Sequence, residues 1–516
     1  RMENLMSDSE YEELRRRRQQ ILDGGGKERV AKHHAQGKMT ARERIETLLD
    51  PDSFLELEPY TLSRFDTKNK YYGDGVITGF GTIDNRTVYL YAQDFTVNGG
   101  TMSEIQSRKI CHLMDMAKEN KAPVIHLIDS GGARIQEGIV SLAGYAGIFM
   151  RTTGLSGVVP QISLILGPCA GGAAYSPATT DFIIMTRKKS FMFLTGPDVV
   201  ESVTGEQIDS ETLGGSEVHL AESGLAHLAA DSDQEALEYC RRLLAYLPDR
   251  WHGISADLPA DDPIDRMDPF LNSIVPADPA EPYSMHQIVE TITDRDSFFE
   301  LQAEFAPNCI IGFARFNGTA VGIVAQEPSI MAGVMDINSS DKISRFVRTC
   351  DCYDIPIVTL VDCPGFLPGV YQEHHGVIRH GAKVLYAYAE STVPKVTVVT
   401  RKAYGGAYIV LGSKMMGSDV SFAWPQAEIA VMGPEGAAKI LYRKQIEAAQ
   451  DPDAEYRRLV EEYRKNYLNP FVPAETGFID DVIEPQETRK KIIKALSGIK
   501  RKKIVPEERK HGNMPV

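Results

Sequence analysis

The chain has 516 residues, 43% of them apolar, and a formal charge of −15 at neutral pH. That length is enough to bury two or three full cores, and the negative balance excludes a phosphate-backbone partner, which is bound through a basic face that displaces counterions. No apolar run reaches the roughly eighteen residues of a membrane span, and the N-terminus is charged rather than built as an export signal.

The chain is therefore expected in the cytoplasm, with no membrane insertion and no nucleic acid among its partners. Arg1 precedes Met2 and Met6, and no argument rests on those first residues. Cysteines stand at 111, 169, 240, 309, 350, 352 and 363 with no C-x-x-C pair among them, so reduced thiols are expected, with no disulfide framework and no metal site.

In chain order, a basic run at Arg15–Arg18 follows Glu12 and Glu13 in a helical stretch and reads as a solvated helix face. The leader continues to Asp50, with Thr40 placed to cap the helix ARERIETLLD. Its role is read as packing or assembly. Next come β-branched runs at Val88–Ala92, Val124–Ile128 and Ile162–Leu166, separated by helical stretches such as Ser103–Lys118.

Residues 248–282 then hold seven prolines and many aspartates, which break helix and strand alike. They divide the chain into a first domain, 1–258, a linker, 259–271, and a second domain, 272–508. The second domain repeats the first, with strands at Val321–Ala325, Ile357–Val361 and Val396–Thr400 and a helix at Asp341–Cys352. An offset of 233 residues carries Gly79–Phe80 onto Gly312–Phe313, Ala92–Gln93 onto Ala325–Gln326, Gly100 onto Gly333, Asp129 onto Asp362 and Gly132 onto Gly365. One further residue brings Gly171–Gly172–Ala173 onto Gly405–Gly406–Ala407. A repeat that long means one α/β architecture used twice.

Each copy has one glycine turn after a buried strand, DSGGARIQEG at 129–138 and DCPGFLPG at 362–369. Each has a second before a helix, GPCAGGAAYSPA at 167–178 and RKAYGGAYIVLG at 401–412. Glycine lets a ligand approach the backbone, and a helix start offers unpaired N–H donors, so two such turns can converge on one developing oxyanion. A single cluster would read as an ordinary tight connection. Four in repeat-equivalent positions point to two oxyanion holes and so to two carbonyl ligands. Neither dinucleotide G-x-G-x-x-G spacing nor a nucleotide-binding G-x-x-x-x-G-K-[ST] loop is present.

No side-chain base declares itself. Gln136 and Glu137 follow the first turn, where a carboxylate reads as a helix-start interaction, and His374, His375 and His380 lack a metal-ligand pattern and read as structural or surface residues. A base brought by a second ligand would fit two carbonyl holes and no base of the chain's own.

At these residues the chain closely resembles the carboxyltransferase β subunits of propionyl-CoA and acetyl-CoA carboxylases and their relatives in methylmalonyl-CoA decarboxylase and transcarboxylase. The resemblance covers nearly the whole sequence: QGKMTARER (36–44), QDFTVNGG (93–100), the four glycine segments, MDINSSDK (335–342), IRHGAKVLYAYAE (378–390), AWPQAEIAVMGPEGAA (423–438) and KHGN (510–513) all match the family's signatures.

It implies two tandem crotonase-like domains, and a hexamer in which the N-domain of one subunit faces the C-domain of another. Acyl-CoA would sit on the first domain, its thioester carbonyl held by Gly171 and Gly172, with Gly131, Gly132, Ala133 and Ala173 beside it. The biotin ureido carbonyl would be held by Gly406 and Ala407, with Gly365, Phe366 and Gly405 nearby. The mechanism implied is substrate-assisted: carboxybiotin releases carbon dioxide, the biotin anion takes the α-proton, and the enolate attacks the carbon dioxide, with proximity doing much of the work.

No M-K-M biotinylation tripeptide or ATP-binding module is readable. The resemblance thus implies a separate biotin carboxylase subunit and a biotin carboxyl carrier protein as partners. Zinc-ribbon acetyl-CoA enzymes are disfavoured by the missing C-x-x-C pairs. Ile409 stands where propionyl-specific relatives often carry aspartate, which implies a relaxed acyl-chain preference; ordinary core packing is the other reading. Three rivals stay open: the same half-reaction run in reverse as a decarboxylase or transcarboxylase, a crotonase-type hydratase or isomerase with Glu137 as its one candidate glutamate, and a scaffold without chemistry.

Overall fold

The computed structural model describes residues 3–65, 70–253, 255–499 and 510–516, with the backbone alone for residues 3–8. The chain forms two compact units, Arg1–Gly253 and Ile254–Val516. The expected outer domain ends, residues 1 and 508, lie outside the described residues.

The first unit begins with helices α1 (Glu3–Leu22), α2 (Lys27–Ala35) and α3 (Ala41–Leu48). Thr40 caps α3 as its sequence predicts: its side chain accepts from the Glu43 N–H while the Glu43 carboxylate accepts from the Thr40 N–H, a reciprocal box that satisfies two orphan donors. The sheet contains β1 (Leu55–Leu57), β2 (Val76–Ile83), β3 (Arg86–Gln93), β4 (Val124–Ser130), β5 (Gln161–Ala170), β6 (Phe182–Thr186), β7 (Phe191–Phe193) and β8 (Leu228–Ala230). Its order is β1-β2-β3-β4-β5-β6-β8, with β7 added alongside the end of β5. From β3 onward the pairings are parallel. That requires crossover helices, here α4 (Glu104–Asn120) between β3 and β4 and α5 (Ile139–Leu155) between β4 and β5. Strand β4 is buried along its whole length, His126, Asp129 and Ser130 included, as expected of a parallel strand covered on both faces.

The second unit repeats this plan with β9 (Phe299–Leu301), β10 (Cys309–Phe316), β11 (Thr319–Gln326), β12 (Ile357–Cys363), β13 (Lys395–Tyr404), β14 (Val420–Ala423), β15 (Glu428–Ala430) and β16 (Asp481–Val482). The order is β16-β14-β13-β12-β11-β10-β9, with β15 alongside β13. Gly79 and Gly312 show why the repeat keeps glycine there: a Cβ would lie 2.3 Å from the Leu55 carbonyl in one unit and 2.4 Å from the Phe299 carbonyl in the other. Lys109 and Lys342, also 233 residues apart, are both buried and donate to backbone carbonyls, Lys109 to Val76 O at 2.7 Å and Lys342 to Phe305 O and Cys309 O at 2.7 Å.

The stretch 259–271 differs from a free linker. It carries no strand, but its charges are spent on the second unit. Arg266 pairs with Asp262 at 2.7 Å and donates to the Thr291 carbonyl, and buried Arg489 donates to the Pro263 carbonyl. Asp262 and Asp268, part of the run that marks the linker in the sequence, are partners of those arginines.

Candidate active site

In the first unit β4 and β5 are neighbours, with Ser130 opposite Cys169, so the turns that follow them emerge side by side. A Cβ at Gly132 would lie 3.0 Å from the Ala170 carbonyl, and φ there is +103°, a conformation glycine tolerates and other residues rarely adopt. Met102 N–H donates to Gly132 O at 2.8 Å and Arg134 N–H to Met102 O at 2.9 Å. The residue between them, Ala133, is thus bridged to Met102 with its own N–H directed the other way. Gly131 N–H is used by Gly99 O, and Gly171 N–H by Phe193 O on β7, both at 3.0 Å. Gly172 and Ala173 open helix α6 (Gly172–Ala178), where the first N–H groups have no intrahelical acceptor. The donors left for a ligand are therefore Ala133, Gly172 and Ala173, while Gly131 and Gly171 shape the turn.

The second unit repeats the geometry. Met335 N–H donates to Gly365 O and Leu367 N–H to Met335 O, leaving the Phe366 N–H turned outward. Gly406 and Ala407 sit in the first turn of the helix Gly405–Val410. Phe366 and Gly406 line a cavity of about 390 Å³ together with Val377, Ile378, Leu385 and the exposed Glu373. A Cβ on Gly406 would meet nothing within 4 Å. Ile409 follows on the same helix and is half-buried.

Glu137, His375 and His380, which the sequence offered for proton chemistry, are engaged elsewhere. Glu137 is buried; it accepts from the Glu104 N–H at 2.7 Å, at the start of α4, and pairs with Arg134, which also holds Asp74 at 2.8 Å. It is a helix-start carboxylate, but of α4 and not of the helix that follows it. Cys169 donates its thiol to Ala173 O at 3.2 Å, and burial pushes that thiol well above the ordinary range. Burial pushes the Cys363 thiol up to about 12, so neither is a thiolate nucleophile at neutral pH. His380 faces Asp341 at 2.8 Å and His375 faces the Tyr371 carbonyl. Among the described residues no three His, Cys, Asp or Glu converge as metal ligands.

Beneath the glycine turns lies a set of charges that the sequence reading did not connect. Asp129, fully buried, is held by Lys38 Nζ at 3.2 Å and Arg44 Nη1 at 2.9 Å, and Arg44 Nε reaches Asp233 at 2.8 Å. Lys38 and Arg44 belong to QGKMTARER, so the leader's signature motif, besides capping α3, fixes the end of β4. In the second unit Asp362, also fully buried, is held by Arg401 Nε at 3.0 Å and by the Tyr283 hydroxyl at 2.7 Å. The 233-residue match of the two aspartates was the available signal.

The carboxyl transferase domain family matches residues 32–514. A propionyl-CoA carboxylase carboxyltransferase subunit from Haloferax mediterranei is 52% identical over 99% of this chain and 100% of that protein. A methylmalonyl-CoA decarboxylase subunit alpha from Propionigenium modestum is 47% identical over 98% of each chain. Among solved structures, the 12S transcarboxylase, described as a hexamer with methylmalonyl-CoA bound, superimposes with a TM-score of 0.96 at 49% identity, covering 98% of both chains.

Proposed function

This chain belongs to the carboxyl transferase domain family, and on that premise we propose that it moves a carboxyl group from carboxybiotin to the α-carbon of a short-chain acyl-CoA, as the carboxyltransferase subunit of a propionyl-CoA carboxylase type of enzyme. The observation that carries the reading is that each unit presents backbone donors in a paired turn, while Glu137 and the thiols of Cys169 and Cys363 beside those turns are unavailable as bases.

The thioester oxygen of the acyl-CoA is held by the Gly172 and Ala173 N–H groups from one turn and the Ala133 N–H from the other, with Gly131, Gly132 and Gly171 shaping the cradle. These donors act on the charge that grows as the α-carbon loses its proton, where one preorganised donor is worth about 3 kcal/mol. The ureido oxygen of biotin is held in the second unit by Gly406 and Ala407, with Gly365, Phe366 and Gly405 around it. In the balanced exchange the N–carboxyl bond of carboxybiotin breaks to free carbon dioxide, the α-proton passes to the ureido nitrogen, and the α-carbon bonds to the carbon dioxide. The protein contributes position and hydrogen bonds.

The reading carries further parts. The chain works in the cytoplasm as a hexamer, with a biotin carboxylase subunit and a biotin carboxyl carrier protein on separate chains. Free cysteines at 111, 169, 240, 309, 350, 352 and 363 agree with a reducing compartment, and no described helix is long and apolar enough to cross a membrane. Acetyl-CoA is accepted beside propionyl-CoA, with Ile409 the residue that relaxes the choice. The same site also serves the reverse half-reaction, and the 47% identical decarboxylase subunit keeps that direction in view; the partner chain decides it.

The test is carboxyl transfer from methylmalonyl-CoA and malonyl-CoA to free biotin by the purified subunit. Biotin-dependent release of propionyl-CoA and acetyl-CoA is expected. A folded subunit that does nothing with its partner chains added, or that hydrates crotonyl-CoA without biotin, overturns the reading.

A further inference from the structure

We propose that Asp129 and Asp362 are positioning residues, each clamping the backbone turn of its own unit and so tuning one of the two substrates separately. This rests on the assignment above of acyl-CoA to the first unit's turn and biotin to the second's.

Each aspartate is fully buried near the end of a central strand and stands three residues before a turn glycine, Gly132 or Gly365. Their backbone settings match: Asp129 N–H donates to Gln93 Oε1 and Asp362 N–H to Gln326 Oε1, each at 3.3 Å. Their carbonyls lie so close to Gly100 and Gly333 that a Cβ there would approach to 2.2 and 2.5 Å.

The cation is supplied differently. In the second unit Arg401 on β13 does it, with Lys402 N–H donating to the other carboxylate oxygen at 3.1 Å. In the first unit the position equivalent to Arg401 is Gly167, whose Cβ would lie 1.8 Å from Asp129 Oδ1 and 2.6 Å from Lys38 Nζ. That emptied space admits Arg44 and Lys38 from the leader, and Arg44 also donates to Leu166 O at 3.1 Å. The two units thus arrive at a clamped carboxylate by different routes, which marks the clamp itself as the common requirement.

Stability does not account for it. A buried ion pair is often matched or bettered by apolar side chains of similar volume, because desolvation offsets the attraction. What such a pair does supply is a fixed orientation, and the peptides it fixes lead directly into the Ala133 and Phe366 donors. A displacement of about 1 Å at reacting atoms can cost on the order of 100-fold in rate.

The experiment compares Asp129→Asn and Asp362→Asn with the wild-type full-length chain in transfer from methylmalonyl-CoA to free biotin, varying both substrates. Asp129→Asn is expected to lower kcat/KM for methylmalonyl-CoA by about 10- to 100-fold while the KM for biotin stays within about twofold. Asp362→Asn is expected to do the converse. Arg44→Lys and Arg401→Lys, which keep the charge but lose the fork geometry, are expected to show the same split more weakly. They serve in place of the asparagine variants if circular dichroism shows those unfolded. Losses that fall equally on both substrates, or a smaller active fraction with both KM values unchanged, mean a merely structural role and overturn the proposal. A wild-type chain that transfers nothing is a different failure: it removes the functional reading on which the clamps depend.

Discussion

Gly406→Ala separates a ligand-binding role from a folding role more cleanly than any other substitution in the four glycine clusters. Gly406 is exposed, its φ lies outside the left-handed region, and a Cβ built there meets nothing within 4 Å. Alanine is also the better helix former by about 0.5–1 kcal/mol, so the thermal midpoint is expected to hold or rise slightly. The methyl group would project into the open space beside the Gly406 and Ala407 donors, where the ureido oxygen is proposed to sit. If it moves that oxygen out of the 2.7–3.1 Å range, the loss is about 3 kcal/mol, or roughly 100-fold in kcat. The assay is transfer from methylmalonyl-CoA to free biotin, with a melting curve on the same sample. Wild-type turnover in Gly406→Ala refutes the assignment; a large fall in both melting temperature and rate refutes the claim that the space is open. The equivalent Gly172→Ala is a poorer test, since its Cβ would lie 2.9 Å from the Tyr145 ring. Gly405 is poorer still, with φ at +60°.

Ile409→Asp is expected to lower kcat/KM for acetyl-CoA relative to propionyl-CoA by several-fold, read from the two products of the reverse half-reaction; unchanged ratios remove Ile409 as the selector. His286 is held at about 10 by its hydrogen bonds to Glu300 and then Glu327. A raised folded-state value gives stability that is complete below about 6.5 and lost as pH rises through about 10, so the melting-temperature gap between wild type and His286→Gln should be widest near pH 6 and closed by about pH 10.5, and a gap that widens with pH contradicts this. Lys109 runs the other way, since burial lowers it from 10.5 to about 8. The unfolded chain then binds the extra proton between those values, so the contribution of Lys109 itself should rise with pH across that window by on the order of 3 kcal/mol, opposite in sign to that of His286. The stability of Lys109→Met relative to wild type should therefore fall by that amount between pH 7.5 and 10.5, as followed by chemical denaturation, and a difference that does not change with pH contradicts this.

Patterns that repeat along the chain were legible, and pairings across it were not. The Gly79–Phe80 and Gly312–Phe313 match located two equivalent antiparallel starts to the sheets, because a strand pressed against β1 or β9 has room for glycine alone. Thr40 and Glu43 are three residues apart and their cap is a local event, so it could be read directly. Arg44 and Asp129 are 85 residues apart, and nothing near Arg44 distinguishes it from a solvated helix arginine. Asp262 fell in the Pro- and Asp-rich linker for the same reason, whereas Arg489, about 200 residues further on, holds its carboxylate and that of Asp294 within 4 Å. Glu137 was placed at a helix start, but at the wrong one: Arg134 folds it back toward α4.

The way Glu137 and the two thiols are committed bears on direction as well as mechanism. A site furnished with N–H donors stabilises an enolate oxygen equally on the way into carboxylation and on the way out of decarboxylation, because the same anion lies on both paths. With Glu137 and both thiols committed, the proposed acceptor comes with the second ligand, and the state in which that ligand arrives is set by the chain that loads it. A biotin carboxylase delivers it carboxylated, and transfer then runs toward the acyl-CoA; a partner that consumes carboxybiotin draws the same turns in reverse. Direction is thus a property of the assembly, and substitutions at Gly172 or Gly406 should slow both directions by the same factor, since a change confined to the shared transition state leaves the equilibrium untouched.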